Sequence, residues 1–425
     1  MMRRHWLLGI LLCTALFGMV FAAEAAPRES FERVVLKNGV TLKYKVIKGE
    51  PMVSIYAVFP IGTHGEKAKG IAHLLEHLVF RGGSGLTFKD ISEVTTRKGG
   101  YFNGFTSFYA TSYNYVVPKE HYEKALEVFN GCIWGVTLAP AIVEMEKQII
   151  GHELDMDYTL RYKYYPLIRY FYPEMYHSKE TMAQITEEDL RDFHKTYYQP
   201  DNVTYVIAGD IDPKKIIAQL EQIQNQSGYV KAPPVQISRL DFPVGEIEEE
   251  RNLYPYQYQL MMAYVLEGLT EKERMAVKLL SYMYGGDYKI DYLQNRYKVY
   301  NAITRSVGDQ DYFGMFYLER SEPYSKEAVE REKANLFRYF HEFKQVDFKR
   351  AVKNFISLIE LEARQSQSSA VAAVEYEVQR LSDPDNLTVD SLAILRKLTE
   401  KDLLGVIEKY FSKPPTTWVL VKTTR

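Results

Sequence analysis

Apolar residues fill most positions of Ile71-Ala72-His73-Leu74-Leu75-Glu76-His77-Leu78-Val79, a pattern that predicts a helix apolar around most of its circumference. Such a helix is buried, yet this one carries two imidazoles and a carboxylate. With His73 as zero, at ~100° per residue, His77 falls near +40° and Glu76 near −60°. Three polar groups on one arc of a buried helix are costly unless they are paired or coordinate a metal. Two His at i and i+4 lie about 5–6 Å apart at Cβ, which suits both imidazoles binding one zinc at ~2.0–2.1 Å. Glu before the second His reverses HExxH and makes the inverted HxxEH arrangement. The alternative is a buried helix whose histidines bond backbone carbonyls.

A second helix signal follows Thr137-Leu138-Ala139-Pro140, where Pro marks a helix start, and runs from Ala141 to Asp157. With Glu146 as zero, Ile142, Val143, Ile149, Ile150 and Leu154 fall between about −60° and +80°, and Glu153 near −20°. Two carboxylates therefore sit in the apolar stripe, while Glu144, Lys147, Gln148, Gly151, His152 and Asp155 take the solvent side. Carboxylates are rarely buried unless paired or coordinating. Since two His and a water leave a tetrahedral site one protein ligand short, this stripe is a source for the third.

The remaining pattern predicts two copies of one α+β unit. In the first half, strand Ser54–Pro60 precedes the HxxEH helix, strand Ser112–Pro118 precedes helix Lys119–Ile133, and strand Val203–Ala208 and helix Pro213–Ile223 close the unit. In the second half, strand Tyr258–Leu266 precedes helix Lys272–Tyr284, and strand Tyr312–Glu319 precedes a charged helix through Phe343. Gln224 to Val244, with Pro233, Pro234 and Pro243, has linker composition. The expected division is a signal over 1–25, a zinc-bearing unit over 26–223, a linker over 224–248 and a second unit over 249–425. The second copy has no HxxEH, so one metal is expected per chain. Asn103 to Ser107 reads as an edge strand, with Gly104 letting a peptide backbone approach, or as an ordinary buried strand.

Composition sets the location. Arg3 and Arg4, the apolar run Trp6 to Phe21 and Ala23-Glu24-Ala25 form a secretory signal, so a periplasmic or secreted protein without stable membrane insertion is expected. Without that segment only Cys132 remains, which excludes an internal disulfide. A net charge of −2 with no basic run argues against nucleic acid as a partner. Of 34 tyrosines, seven cluster at Tyr158, Tyr162, Tyr164, Tyr165, Tyr170, Tyr172 and Tyr176, a composition of peptide grooves or of amphipathic packing.

HLLEH, followed 76 residues after its second His by the Glu that closes a Glu-x6-Glu pair, resembles the pitrilysin, insulinase and mitochondrial-processing-peptidase family of zinc metallopeptidases. Gly62, Glu66 and Gly70 before the motif, Phe80-Arg81-Gly82-Gly83 and Gly99 to Ser107 after it, then Thr111, Tyr113, Ile185 to Leu190, Tyr198 to Asn202 and Val206 to Asp210 extend the likeness over nearly the whole chain. The resemblance implies α/β-sandwich halves, with mainly antiparallel sheets and helices on one face, facing each other as a clamshell. It makes His73, His77 and Glu153 zinc ligands, Glu76 the general base acting on water at the metal, and Glu146 a support to the ligands. Asn103, Gly104, Phe105, Thr106 and Tyr300 become substrate-binding, for a peptide substrate. Gln294 stands where relatives carry a substrate-holding Arg, and Arg296 is two residues off. The resemblance thus implies a zinc endopeptidase acting on short or unfolded peptides, as a homodimer or paired with a zinc-less paralogue. A non-catalytic subunit and a small-molecule zinc hydrolase or lyase are the alternatives.

Overall fold

The computed structural model describes residues 31–157, 171, 178–226, 228–229, 231, 239–240, 242–251, 256–285, 299–319, 321–340, 345–383 and 386–423. The signal segment, the seven clustered tyrosines, Gln294 and Arg296 lie outside them, and only the backbone of Tyr300 is described.

The first sheet contains β1 (Glu32–Val35), β2 (Thr41–Val46), β3 (Met52–Phe59), β4 (Tyr101–Thr106), β5 (Thr111–Pro118) and β6 (Thr204–Gly209). Its order is β1-β2-β6-β3-β5-β4, with β2 and β6 parallel and every other pair antiparallel. The second contains β7 (Gly245–Arg251), β8 (Tyr258–Glu267), β9 (Val299–Val307), β10 (Gln310–Glu319) and β11 (Thr417–Thr423), ordered β7-β11-β8-β10-β9. Here β7 and β11 are parallel and the other pairs antiparallel. Without β1, the two sheets superpose strand for strand in order and direction. The duplication read from the sequence is therefore a duplication of topology. Among the described residues it places β4 and β9 at equivalent edges of their sheets.

Each sheet carries helices on one face. In the first half the motif helix Ile71–Val79, Tyr122–Trp134, the carboxylate helix Pro140–Asp157 and Glu187–Tyr197 enclose one core with Leu42, Val53, Ile55, Tyr113 and Ile207. In the second, Glu271–Gly285, Lys326–Tyr339 and Gln345–Gln365 do the same. The halves also exchange cover for their other faces. Helix Ala370–Ser382 from the second half lays Ala370, Val374 and Val378 on Val58, Val206 and Ala208 of the first sheet. Lys43 pairs with Glu377 of that helix. In return, Phe171 packs on the second sheet with Met261, Ala263 and Phe316, seated over Gly314, where a Cβ would collide with the ring. Burial on both faces explains why β3, β8 and the middle of β10 read as nearly continuous apolar runs instead of alternating strands. A third contact joins the halves at the β4–β5 turn. The Tyr109 hydroxyl donates to the Ser306 carbonyl at 2.5 Å, and the Arg305 guanidinium lies 4.5 Å from the Phe108 ring centre.

Strand and helix bounds fall within three residues of the sequence expectation, except that the charged helix expected through Phe343, a residue outside the described ones, ends at Tyr339, and that β7 begins at Gly245, inside the expected linker. Gly151, expected on the solvent side, is buried under the Lys179 side chain. Glu153, expected in the buried stripe, keeps 44% of its side chain exposed.

Val374 joins the halves through apolar contact, so Val374→Ala should lower unfolding free energy by roughly 1–3 kcal/mol. Chemical denaturation measures this; an unchanged midpoint would show that the exchanged helix contributes nothing to stability.

Candidate metal centre

The site is assembled where the motif helix crosses the carboxylate helix beneath the edge of the first sheet. Gly70, at φ 95°, turns the chain into the motif helix. The Glu66 carboxylate then accepts the backbone N–H groups of Gly70 and Ala72, both at 3.0 Å, satisfying donors that a helix start leaves open. Burial pushes the Glu66 carboxyl up to about 7 in spite of those bonds.

His73 and His77 rise one turn apart from this helix, ring centres 4.9 Å apart and nearly perpendicular. Both Nε2 atoms face Glu153 from the carboxylate helix, His73 at 3.7 Å and His77 at 3.5 Å from the same carboxylate oxygen. One ligand atom from each of the three lies within 4.8 Å of the others, the one such His/Cys/Asp/Glu group among the described residues. Bonds of ~2.0–2.1 Å in a tetrahedron separate ligand atoms by about 3.3–3.4 Å, so this donor set fits zinc with little movement.

Glu146 lies seven residues before Glu153, two turns back on the same face. It is fully buried, and its two oxygens are divided between partners. One meets His77 Nδ1 at 2.9 Å; the other accepts from Arg81 Nε. Holding Nδ1 this way turns Nε2 toward Glu153, the usual arrangement of a carboxylate behind a metal-binding imidazole. Burial alone would raise the Glu146 carboxyl, but its bonds to His77 and Arg81 outweigh that and hold it below the usual carboxylate range. Burial opposes the charged form of His77, but Glu146, Glu153 and Glu76 together hold its pKa above the usual value.

Glu76 projects from the same helix toward β4 and is 8% exposed. Its carboxylate accepts the Thr106 hydroxyl at 2.7 Å. Burial raises its pKa, an effect that the bond from Thr106 only partly offsets. Gly104 makes the approach possible: a Cβ there would come within 2.7 Å of the Glu76 carboxylate and 2.8 Å of the Phe80 ring. Two residues expected at the substrate therefore also serve the site from within, Thr106 as a donor to Glu76 and Gly104 as the space it occupies.

The residues expected at the metal, His73, His77 and Glu153, converge, with Glu76 and Glu146 on either side. Asn103 and Phe105 lie on edge strand β4 with side chains away from Glu76, and Phe105 is 62% exposed. Which arginine meets Glu146 was not legible, since Arg81 lies in the turn two residues beyond the end of the motif helix.

Two family models match this chain: insulinase (peptidase family M16) over residues 47–160, and the peptidase M16 inactive domain over residues 184–355. The zinc protease PqqE of Helicobacter pylori is 23% identical over 98% of this chain and 98% of that protein. The probable mitochondrial-processing peptidase subunit beta of Schizosaccharomyces pombe is 26% identical over 48% of this chain and 46% of its own length. The crystal structure of a protease from Helicobacter pylori superposes with a TM-score of 0.73 at 21% identity, covering 92% of this chain and 99% of that one. The chain belongs to the pitrilysin/insulinase family, peptidase family M16, with that family's two-domain α+β fold. Among the described residues no helix is long and apolar enough to cross a membrane.

Glu146→Gln keeps shape but loses its charge, and should weaken zinc affinity ~10–100-fold; Glu153→Gln should weaken it further. Competitive zinc titration ranks the two, and the reverse order would exchange their roles.

Proposed function

We propose that this chain is a zinc-dependent endopeptidase cleaving short or unfolded peptides outside the cytoplasm, with residues 26–223 as its catalytic unit. The observation that carries this reading is the convergence of the His73, His77 and Glu153 ligand atoms within 4.8 Å, beside a buried Glu76 that Thr106 aims at the same space. His73, His77 and Glu153 would hold one zinc, with Glu146 and Arg81 keeping His77 in its ligating tautomer. When bound, zinc supplies a Lewis acid that polarises a carbonyl and lowers the pKa of water.

The chain's own residues supply the rest. Glu76 accepts the proton of the attacking water and delivers it to the leaving amine; burial, which raises its pKa, favours returning that proton. A peptide extends along β4, whose outer edge pairs with no strand in the first sheet. Main-chain hydrogen bonds to that edge hold many sequences alike and set the scissile carbonyl near Gly104 and Thr106. Asn103, Phe105 and, from the second half, Tyr300 complete the contacts to substrate. The secretory pattern of residues 1–25 supports a periplasmic or secreted location.

A second reading concerns partners. Gln294 replaces a guanidinium with a neutral amide, which lacks the charged, forked donor set suited to a peptide carbonyl or carboxylate. We therefore propose a dimer, with a zinc-less paralogous subunit that supplies the missing Arg or with a second copy of this chain. Peptide cleavage by the isolated, zinc-saturated chain separates the cases: full activity, unchanged by a paralogue, leaves the chain self-sufficient.

Glu76→Gln should retain zinc at wild-type stoichiometry while losing at least ~10²-fold in kcat. Hydrolysis near the wild-type rate would remove Glu76 as the base. Gly104→Ala should also retain zinc but lower kcat/KM at least ~10-fold, because its methyl displaces the Glu76 carboxylate; unchanged kcat/KM would show that β4 yields there without cost.

A further inference from the structure

Beyond the edge of β4, on the face of the first sheet opposite Glu76, lies a cavity of about 520 Å³ between the two halves. Tyr56, Phe105 and Phe108 from the first half form its aromatic wall, and Val378 and Glu375 from the exchanged helix close the other side. Glu375 is exposed, and its charge raises the pKa of both Tyr56, already raised mainly by burial, and Tyr101 on β4. Most carboxylates of this helix and its surroundings are engaged: Glu377 pairs with Lys43 and Arg380, and Asp390 with Arg380. Glu375 has no hydrogen bond or ion pair among the described residues. Arg305 and a second carboxylate, Asp383, also border the cavity, so acidic groups outnumber basic ones in its lining; the Arg305 guanidinium is turned to the Phe171 carbonyl and the Phe108 ring.

We infer that this cavity is a specificity pocket for a lysine or arginine side chain of the peptide substrate, with Glu375 as its counter-charge. The inference rests on the proposed placement of the peptide along β4. In an extended strand successive side chains point to opposite faces. When one substrate residue faces Glu76 and the helices, its neighbours face the side on which Phe105 is exposed. A long basic side chain matches the pocket in both parts, since its methylenes cover aromatic and aliphatic surface while its head stays at the wet rim. A cation against Tyr56 and Phe105 also gains from the faces of the rings. An acidic side chain would meet Glu375 in the same space and be rejected.

The test is cleavage of a peptide library by the zinc-loaded full chain, with its partner if one is required, scored by residue at each position from the scissile bond. Wild-type protein should favour Lys and Arg at one fixed position by about 10-fold over norleucine. Glu375→Gln should abolish that preference while cleaving peptides with norleucine there at the wild-type rate, and Glu375→Lys should favour Glu or Asp at the same position. Cleavage with no basic preference, or with one that Glu375→Gln leaves intact, overturns the pocket and leaves the peptidase reading standing. Failure of the wild-type protein to cleave any peptide, alone or with a partner, overturns the peptidase reading and the pocket with it.

Discussion

Glu146 sits without solvent between the imidazole of His77 and the guanidinium of Arg81, and the geometry of the centre follows from that contact. A carboxylate in such a place is tolerable only because both of its oxygens are engaged, and removing either partner leaves a buried charge short of a hydrogen bond. The bond fixes which His77 nitrogen faces outward and ties the motif helix to the carboxylate helix at one height. Glu153, two turns further along, is then delivered to both imidazoles. A shift of one residue in either helix would rotate the ligands it carries by ~100° and break the set.

The fold supplies the rigid ground for this contact. The motif helix is pressed against the first sheet by Leu74, Leu75 and Leu78, all without exposure, and capped at its start by Glu66. The sheet's opposite face is closed by a helix borrowed from the second half, which receives Phe171 in exchange. The second sheet repeats the topology of the first but has no metal-ligand group among its described residues. Its visible work is to cover the first sheet and to bring β9 and the exchanged helix to the edge of β4. Among the described residues, only the first copy of the unit brings a His/Glu group together.

How much of this was readable beforehand depended on whether the signal was local. HxxEH and the Glu-x6-Glu pair are short-range patterns on single helices, and the helical period alone put His73, His77 and Glu76 on one arc and Glu146 and Glu153 on one stripe. Glu153 shows the limit, since periodicity places it in the apolar stripe but cannot show that 44% of its side chain stays exposed there. The role of Gly104 was half legible. Its smallness suggested a close approach, yet which group approaches depends on a helix some thirty residues earlier in the chain. The exchange of faces between the halves was not legible at all. Ala370, Val374 and Val378 read as one side of an ordinary amphipathic helix, and no pattern within the helix says which sheet that side covers.

The account stands on three protein ligands around one zinc, with Glu146 behind one of them, and zinc-edge X-ray absorption of the loaded protein examines this without relying on turnover. The predicted spectrum has two imidazole nitrogens at ~2.0–2.1 Å and light oxygen scatterers completing four-coordination, and His77→Ala removes one imidazole contribution. A spectrum with a sulfur shell, or one that His77→Ala leaves unchanged, would place the metal elsewhere and contradict the account.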